Sequence, residues 1–317
     1  MKLTEKIIIL VLVVMPVVFF SMQCASSTEK KPEKQDQVQT ENPTVNYPEV
    51  LRIAYSPSIQ GGEINHDTKQ LDDMLSKKLG IRIESAIIPN YIAIITGLVS
   101  GKIDCSMVNP LSYVIAKQKY DIEAIAKVKK NDSVEYYSQI LVNNDSGIKT
   151  FADLKGKKFA FVDRTSTSGH IFARDLMIQN GIDPKKDFLE IPPFVGSHDK
   201  VALDVMNGVF DAGATFQDVR ERLKDEYPDV MTKTSVIAVA GPIPNEMFCV
   251  NSTMDPGFKK VLTDALIEIS KGVEIDGKIV KPFYEMDKIE EIVPATDQDY
   301  DIVREVLKNL DIDLLAE

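Results

Sequence analysis

The chain has 317 residues, of which 44% are hydrophobic and 27% charged, with 7% aromatic residues and no tryptophan. That length allows one large domain or two medium ones with ample apolar material for a core. The formal net charge of −11 argues against nucleic acid as a partner, which requires a basic face, but not against a small anion, whose binding depends on local donors.

The N-terminus has the pattern of a targeting segment. Residues 1–6 precede an apolar run at 7–20, and small residues then follow Cys24. We expect a signal peptide over 1–23, because the run is shorter than the roughly 20 residues of a permanent membrane helix. Cys24 resembles the lipidated cysteine of bacterial lipoproteins, although Met22 and Gln23 stand where a small residue is usual. The alternative is an ordinary signal peptide that is cleaved a few residues later.

Residues 24–48 are rich in Lys, Glu, Gln, Asn, Thr and Pro and contain almost no large apolar side chain. Such a composition does not bury enough surface to fold. We expect a disordered tether that joins a lipidated Cys24 to a folded body outside the cytoplasm, either in the periplasm or at the cell surface.

Two further cysteines, Cys105 and Cys249, lie in apolar, strand-like surroundings. Neither belongs to a CxxC or Cys/His spacing, so we expect buried small hydrophobes and no metal site. A disulfide between them stays open, because the compartment would be oxidising.

The body alternates strand-like and helix-like runs. A strand at 51–56 leads to a helix in which Leu71, Met74, Leu75 and Leu79 recur at helical spacing, and then to a strand at 81–88, which together predict a βαβ unit. The plan of helix, glycine and acid-led strand occurs twice, in GKID (101–104) and in GVFD (208–211). These two copies predict two α/β lobes of similar construction.

A cluster of hydroxyl side chains, DRTSTSGH (163–170), separates a predicted strand at 157–163 from a predicted helix at 171–181. The N–H groups of a helix's first turn lack partners within the helix, and hydroxyls beside them favour an anion site, where Gly169 would let backbone approach a ligand. The alternative is a simple helix cap in a solvated loop. No lysine of a phosphate-binding loop is present.

A second predicted helix start lies in GSHDKV (196–201). His198 at that position can donate to an oxyanion, while Ser197 or Asp199 caps the helix. Together with the hydroxyl cluster, this histidine favours an anion site over a simple cap.

Three separated motifs, in the right order, resemble the phosphonate- and phosphite-binding proteins of ABC importers: PNYIAIITGLVSGKID, DLKGKKFAFVDRTSTSGH and GSHDKVALDVMNGVFDAGA. The resemblance runs from LRIAYSPS to IPNEMFCVN. It implies an α/β periplasmic binding protein fold, with two α/β lobes joined by crossing hinge segments and the ligand in the cleft. Lobe 1 would comprise 49–141 and 246–317 and lobe 2 would comprise 142–245, with crossings near 141–143 and 239–245.

The resemblance also implies the ligand-binding residues. Hydroxyl and imidazole groups would hold the phosphonyl oxygens, tyrosines would flank them, and the far end of the pocket would vary with the substrate. Carried over by motif, these are Ser166, Thr167, Ser168 and His198, then Tyr91 and Tyr136, then Gln217 or Asp218 and Glu246.

The function implied is a monomeric binding protein for a phosphonate, phosphite or phosphate ion that delivers it to an ABC permease, with no catalytic residue, metal or cofactor. One alternative is a hydrolase that uses the serines and His198, although no GxSxG motif accompanies them. The other alternative functions are a sensor of the same fold, an arsenite-binding protein that uses Cys105, and an adhesin with a vestigial pocket.

Overall fold

The computed structural model describes residues 45–55, 64–88, 91–217 and 219–310. The expected signal peptide, Cys24 and the expected tether up to residue 44 lie outside the described residues, as does Asp218. The tether was expected to reach residue 48, but Val45 and Tyr47 pack against the body, Tyr47 on the ring of Phe258. Within the described ranges, no helix has both the length and the apolar character needed to cross a bilayer.

The first sheet has six strands in the order β12-β4-β9-β3-β1-β2. Its strands are β1 (Val50–Tyr55), β2 (Arg82–Ile87), β3 (Cys105–Val108), β4 (Ile122–Lys129), β9 (Met247–Asn251) and β12 (Glu291–Pro294). β1 runs parallel to β2 and β3, whereas β9 runs antiparallel to both β3 and β4, and β12 antiparallel to β4. The carboxyl ends of β1 to β4 therefore lie at one edge of the sheet, and β9 and β12 begin at that edge.

The second sheet has four strands in the order β6-β7-β5-β8. They are β5 (Glu135–Asn143), β6 (Phe159–Ala160), β7 (Ala212–Phe216) and β8 (Thr234–Pro244). β6 and β7 are parallel, and β5 is antiparallel to both of its neighbours. A separate hairpin pairs β10 (Val273–Ile275) with β11 (Lys278–Val280).

The connections between strands are mostly helical, as the alternating sequence pattern predicts. The helices are α1 (Ile64–Leu79), α2 (Tyr91–Val99), α3 (Pro110–Lys119), α4 (Ala173–Gln179), α5 (His198–Met206), α6 (Val219–Leu223), α7 (Asp229–Lys233), α8 (Pro256–Ser270), α9 (Pro282–Asp287) and α10 (Asp301–Asn309). A π-helical turn, Thr167–Phe172, leads directly into α4.

Both sheets are covered on both faces, so each forms the middle layer of an α/β lobe. In β3 the side chains of Cys105 and Met107 join one apolar cluster, while Val108 joins the cluster on the opposite face. This alternation is the two-residue period of a strand. It confirms the predicted α/β fold with two lobes.

The two thiols of the described chain, Cys105 and Cys249, are buried and free. The register pairs Cys105 with Val250 and Ser106 with Cys249. Cys105 and Cys249 are therefore offset by one residue across the β3–β9 ladder and join clusters on opposite faces of the sheet. This arrangement explains why they do not form a disulfide.

The chain passes between the two sheets over residues 130–134 and again at 245–246. These crossings lie side by side, because the Asn245 amide donates to the carbonyls of Val128 and Ser133 at 3.3 and 3.0 Å. The crossing expected near 141–143 is not there, since those residues pair within β5. The lobe boundaries given from the sequence stay a prediction.

The sequence repeat GKID and GVFD has a common structural role. Asp104 accepts the backbone N–H of Arg52 at 2.8 Å, and Asp211 accepts that of Lys158 at the same distance. Gly101 and Gly208 precede them with φ of +69° and +73°, a left-handed conformation that favours glycine. Each acid thus ties the start of its strand to a neighbouring strand, once in each lobe.

Candidate functional site

The carboxyl ends of the parallel strands of both sheets face each other, because the two short crossings join the sheets at those edges. The segment after β3 meets the segment after β6: the Asn109 amide donates to the carbonyl of Thr165 at 3.2 Å. In α/β folds, ligands bind outside the carboxyl ends of the strands. This cleft edge, where the two carboxyl edges meet, is therefore the candidate site.

The hydroxyl cluster forms the start of a continuous helical segment over residues 167–179. Ser166 is its N-cap, and the Ser166 hydroxyl oxygen accepts the N–H of Gly169 at 3.0 Å. Ser166, Thr167 and Ser168 are at most 6% exposed. The capping prediction and the anion prediction are compatible here, because a hydroxyl that accepts a backbone N–H keeps its own proton for donation.

Gly169 has a packing role that the sequence did not indicate. A Cβ atom at this position would lie 2.4 Å from Cγ2 of Val162. The glycine therefore allows the helix to pack against Val162, and its approach to a ligand stays a prediction.

Thr167 connects this helix to the other lobe. Its hydroxyl oxygen accepts the N–H of Leu111 at 3.1 Å and lies 3.4 Å from the side-chain oxygen of Asn109. Asn109 caps α3 by accepting the N–H of Ser112, and Pro110 occupies the first helical position. The N-terminus of α3 therefore meets the hydroxyl cluster.

His198 begins α5, as the sequence predicts, and Ser197 is the cap. The Nδ1 atom of His198 accepts the backbone N–H of Phe216 at 3.1 Å. Burial, followed by the positive charge of Arg222, lowers the pKa of His198 to about 3. The imidazole is therefore neutral with its proton on Nε2, a tautomer that can donate to an anion.

The start of α5 is also close to the hydroxyl cluster. Gly196 donates its N–H to the Val162 carbonyl at 2.7 Å, and Val162 donates to the Gly169 carbonyl at 3.1 Å. Three helix N-termini thus converge on the cleft edge, two from lobe 2 and one from lobe 1. Each brings the positive end of a helix dipole.

The remaining predicted contacts lie at the same edge. Tyr91 is the first residue of α2, after the carboxyl end of β2. Tyr136 is half-buried at the start of β5 and packs against the apolar cluster around α2 and α3. Gln217 follows β7 and donates its backbone N–H to the carbonyl of Tyr137 at 2.8 Å. Their contact with a ligand stays a prediction.

Glu246 belongs to an ion cluster, which we call the Lys130 cluster, formed by Lys130, Glu246 and Asp287. The Lys130 ammonium lies 3.2 Å from a carboxylate oxygen of Glu246 and 2.5 Å from one of Asp287. Burial lowers the pKa of Lys130, but the two carboxylates more than offset this and raise it above its usual value. The lysine is therefore a charged ammonium.

Several residues at the site were not singled out from the sequence. Asn109 and Ser112 follow β3, and the Ser112 hydroxyl is buried without a hydrogen-bond partner among the described residues. The sequence VNP (108–110) after an apolar strand indicates the start of a helix. The pairing of Lys130 with Asp287 spans 157 positions, and no local pattern indicates it.

Two other candidate groups lie outside the site. His170 is buried against Phe161 and Phe194, and its Nδ1 lies 2.9 Å from the carbonyl of Arg164. Cys105 is buried in the core, and burial raises the pKa of its thiol well above the usual value. A protonated core thiol is a poor ligand for arsenite, which weakens that alternative.

A surface cavity of about 240 Å³ lies away from the cleft edge, between Tyr47, Asp104, Asn251 and Phe258. Asp104 precedes β3 and Asn251 ends β9, so the cavity is at the opposite edge of the six-stranded sheet. The convergence of helix N-termini, rather than this cavity, identifies the candidate site.

Comparison with known proteins agrees with this geometry. A family model described as "ABC transporter, phosphonate, periplasmic substrate-binding protein" matches residues 53–300. The phosphate-import protein PhnD of Mycolicibacterium smegmatis is 26% identical over 281 residues, which cover 82% of this chain and 85% of that protein.

Two solved structures share the fold. PhnD1 of Prochlorococcus marinus, in complex with methylphosphonate, superposes with a TM-score of 0.72 at 23% identity and covers 84% of this chain and 99% of its own. A binding protein component of an ABC phosphonate transporter from Pseudomonas aeruginosa gives a TM-score of 0.70 at 20% identity, with 82% and 86% covered. These likenesses confirm the two-lobed periplasmic binding protein fold.

Proposed function

Because the chain belongs to the family of periplasmic substrate-binding proteins of phosphonate ABC transporters, we propose that it binds a small phosphorus oxyanion at the cleft edge. Proteins of this family bind a small ligand outside the cytoplasm and work with a permease. The candidates are phosphite, phosphate and a short alkylphosphonate. Two of the relatives named above point to such ions. One is named a phosphate-import protein, and the structure of another is a complex with methylphosphonate.

The observation that carries this proposal is the convergence of three helix N-termini beside a neutral histidine. The helices that start at Thr167, His198 and Pro110 all point their positive ends at the cleft edge. Such ends bind anions through backbone N–H groups and the helix dipole. Neutral donors suit a binding protein, because they hold an anion without the tight ion pair that slows release.

The chain's own groups have distinct roles in this proposal. The hydroxyls of Ser166, Thr167 and Ser168 and the Nε2–H of His198 donate to the oxygens of the anion. A tetrahedral phosphorus group presents several oxygens in different directions, which matches donors that come from two helices. We expect Tyr91 of lobe 1 and Tyr136, at the start of β5, to flank the ion, with Gln217 and Glu246 at the far end.

Lobe closure is the proposed mechanism of capture. Thr167 already contacts Leu111 and Asn109 of the opposite lobe. A ligand that contacts residues on both lobes stabilises the closed arrangement in proportion to its extra contacts there. Opening about residues 130–134 and 245–246 would release it to the permease.

We further propose that the body is a monomer held at the membrane by a lipid on Cys24 and a tether that ends before Tyr47, whose ring packs 5.2 Å from that of Phe258. Metabolic labelling with a radioactive fatty acid tests the anchor. The label should be incorporated into the wild-type chain and not into Cys24→Ser. Equal labelling of both chains would remove the lipoprotein proposal and leave ion binding unaffected.

Thermal unfolding of the purified protein tests ion binding, with phosphate, phosphite, methylphosphonate, 2-aminoethylphosphonate, sulfate and arsenite as ligands. A ligand at 100 times its dissociation constant stabilises the native state by about 2.7 kcal/mol, a shift of several degrees. The double variant Ser166→Ala with Thr167→Ala should lose that shift. Thr253→Ala, a hydroxyl in the turn after β9, is the matched control and should keep it. No shift with any phosphorus anion would contradict the proposal.

A further inference from the structure

The Lys130 cluster lies at the cleft edge itself. Lys130 directly follows the carboxyl end of β4, and Glu246 directly precedes the start of β9. Glu291 of β12 pairs with Lys129, so Asp287, four residues before Glu291, reaches the same edge. The three side chains are 15–24% exposed.

An arginine of the other lobe links this cluster to the anion site. Arg222 of α6 pairs with Asp199, the residue after His198, and its guanidinium lies 4.7 Å from the centre of the Phe216 ring. The same ring lies 4.8 Å from the imidazole of His198. The Arg222 charge also acts on Asp287: burial and the charge of Glu246 hold the pKa of Asp287 above its usual value, although the charges of Lys130 and Arg222 act against this. The cluster and His198 therefore both lie at the cleft edge, on opposite lobes.

The two carboxylates of the cluster are the natural partners for a cationic group on a ligand. In this chain the Lys130 ammonium already contacts both of them at hydrogen-bond distance. A second ammonium would have to displace a partly buried lysine or remain without a full partner. Both outcomes are unfavourable, because a charge removed from water needs a close counter-charge.

We propose that the Lys130 ammonium is an internal counter-charge that restricts the site to phosphorus oxyanions without a cationic tail, namely phosphite, phosphate or a short alkylphosphonate. This inference rests on the proposed function and specifies its substrate class. Lys130 acts by occupying Glu246 and Asp287, not by contacting the phosphorus group.

The test compares two ligands of similar shape by isothermal titration calorimetry. In propylphosphonate a methyl group replaces the ammonium of 2-aminoethylphosphonate, and methylphosphonate serves as the reference ligand. The wild-type protein should bind the amine at least about tenfold more weakly than propylphosphonate, because the amine loses hydration without gaining a free carboxylate.

Removal of the lysine charge should reverse this preference. In Lys130→Met, Glu246 and Asp287 become available, and the affinity ratio of amine to propyl ligand should rise at least about tenfold. Should loss of the lysine charge prevent folding, Lys130→Met with Asp287→Asn leaves one carboxylate for the amine and predicts the same direction. Lys130→Arg keeps the charge and should keep the wild-type ratio.

The neighbouring lysine provides the matched control. Lys129 has a similar exposure, 27% against 24% for Lys130, but pairs with the exposed Asp132. Lys129→Met should leave the ratio unchanged. A ratio that shifts equally in both variants would assign the effect to net charge and overturn the inference.

The outcomes separate the two proposals. If the wild-type protein binds methylphosphonate and also binds the amine as well as propylphosphonate, the inference about Lys130 is wrong and the proposed function stands. If it binds none of the three, nor phosphite or phosphate, the proposed function fails and the inference fails with it.

Discussion

Acidification should destabilise the protein through His198, and the size of the effect follows from its surroundings. The native imidazole is held neutral, with a pKa lowered to about 3 by burial and by Arg222, whereas the ordinary value is 6.5. Below pH 6.5 the unfolded chain therefore binds a proton on the His198 imidazole, whereas this imidazole stays neutral in the native chain until the pH approaches 3. The stabilisation is complete above pH 6.5 and is lost progressively as the pH falls towards 3. Between pH 7 and pH 5 one such histidine lowers the free energy of unfolding by about 2 kcal/mol.

The variant His198→Asn isolates this contribution. The asparagine side-chain oxygen can still accept the N–H of Phe216, but the group no longer titrates. Urea denaturation at pH 7 and pH 5 should show a drop in the free energy of unfolding that is smaller by about 2 kcal/mol in the variant. His170, with a pKa lowered to about 4, contributes equally to both chains and cancels. Equal drops in the two proteins would refute the assignment of a neutral imidazole and, with it, of Nε2 as the donor.

Three further predictions concern the elements that shape the site. Gly169→Ala should lower the free energy of unfolding by about 1–3 kcal/mol, because its Cβ would collide with Val162, and Val162→Ala in the same chain should recover part of the loss in urea denaturation. Asn109→Ala should lower it by about 1 kcal/mol through loss of the α3 cap, with an unchanged value counting against that role. Cys105 and Cys249 should react with a thiol reagent only after denaturant is added. Burial raises the pKa values of both thiols, that of Cys249 to about 12. Rapid reaction of the native protein would contradict their burial.

Much of the fold was predictable because local sequence and long-range structure agree in it. Gly101 and Gly208 with the acids that follow them indicated two similar lobes, and Asp104 and Asp211 make the same backbone contact in each. The strand predicted over 157–163 is shorter in the structure, where only Phe159–Ala160 form β6. Phe161 instead pairs with Phe194 as an isolated bridge. A tertiary contact of that kind is not visible in a propensity pattern.

The site was predictable only where its residues stand at helix starts. Ser166 and His198 follow strand-like runs, so their place at helix N-termini could be read locally. Glu246 could be named from a motif, but its pairing with Lys130 and Asp287 could not, because three distant segments meet only after the six-stranded sheet has formed. The packing of Gly169 on Val162 could not be predicted for the same reason, since the two residues meet across a turn.

A crystal structure of the protein with methylphosphonate would show directly where the ion binds. We expect phosphonyl oxygens within hydrogen-bond distance of Ser166, Thr167, Ser168 and Nε2 of His198, with Lys130 still paired to Glu246. A ligand bound elsewhere, for example in the cavity beside Tyr47 and Phe258, or a phosphonate that touches neither the hydroxyl cluster nor His198, would contradict it.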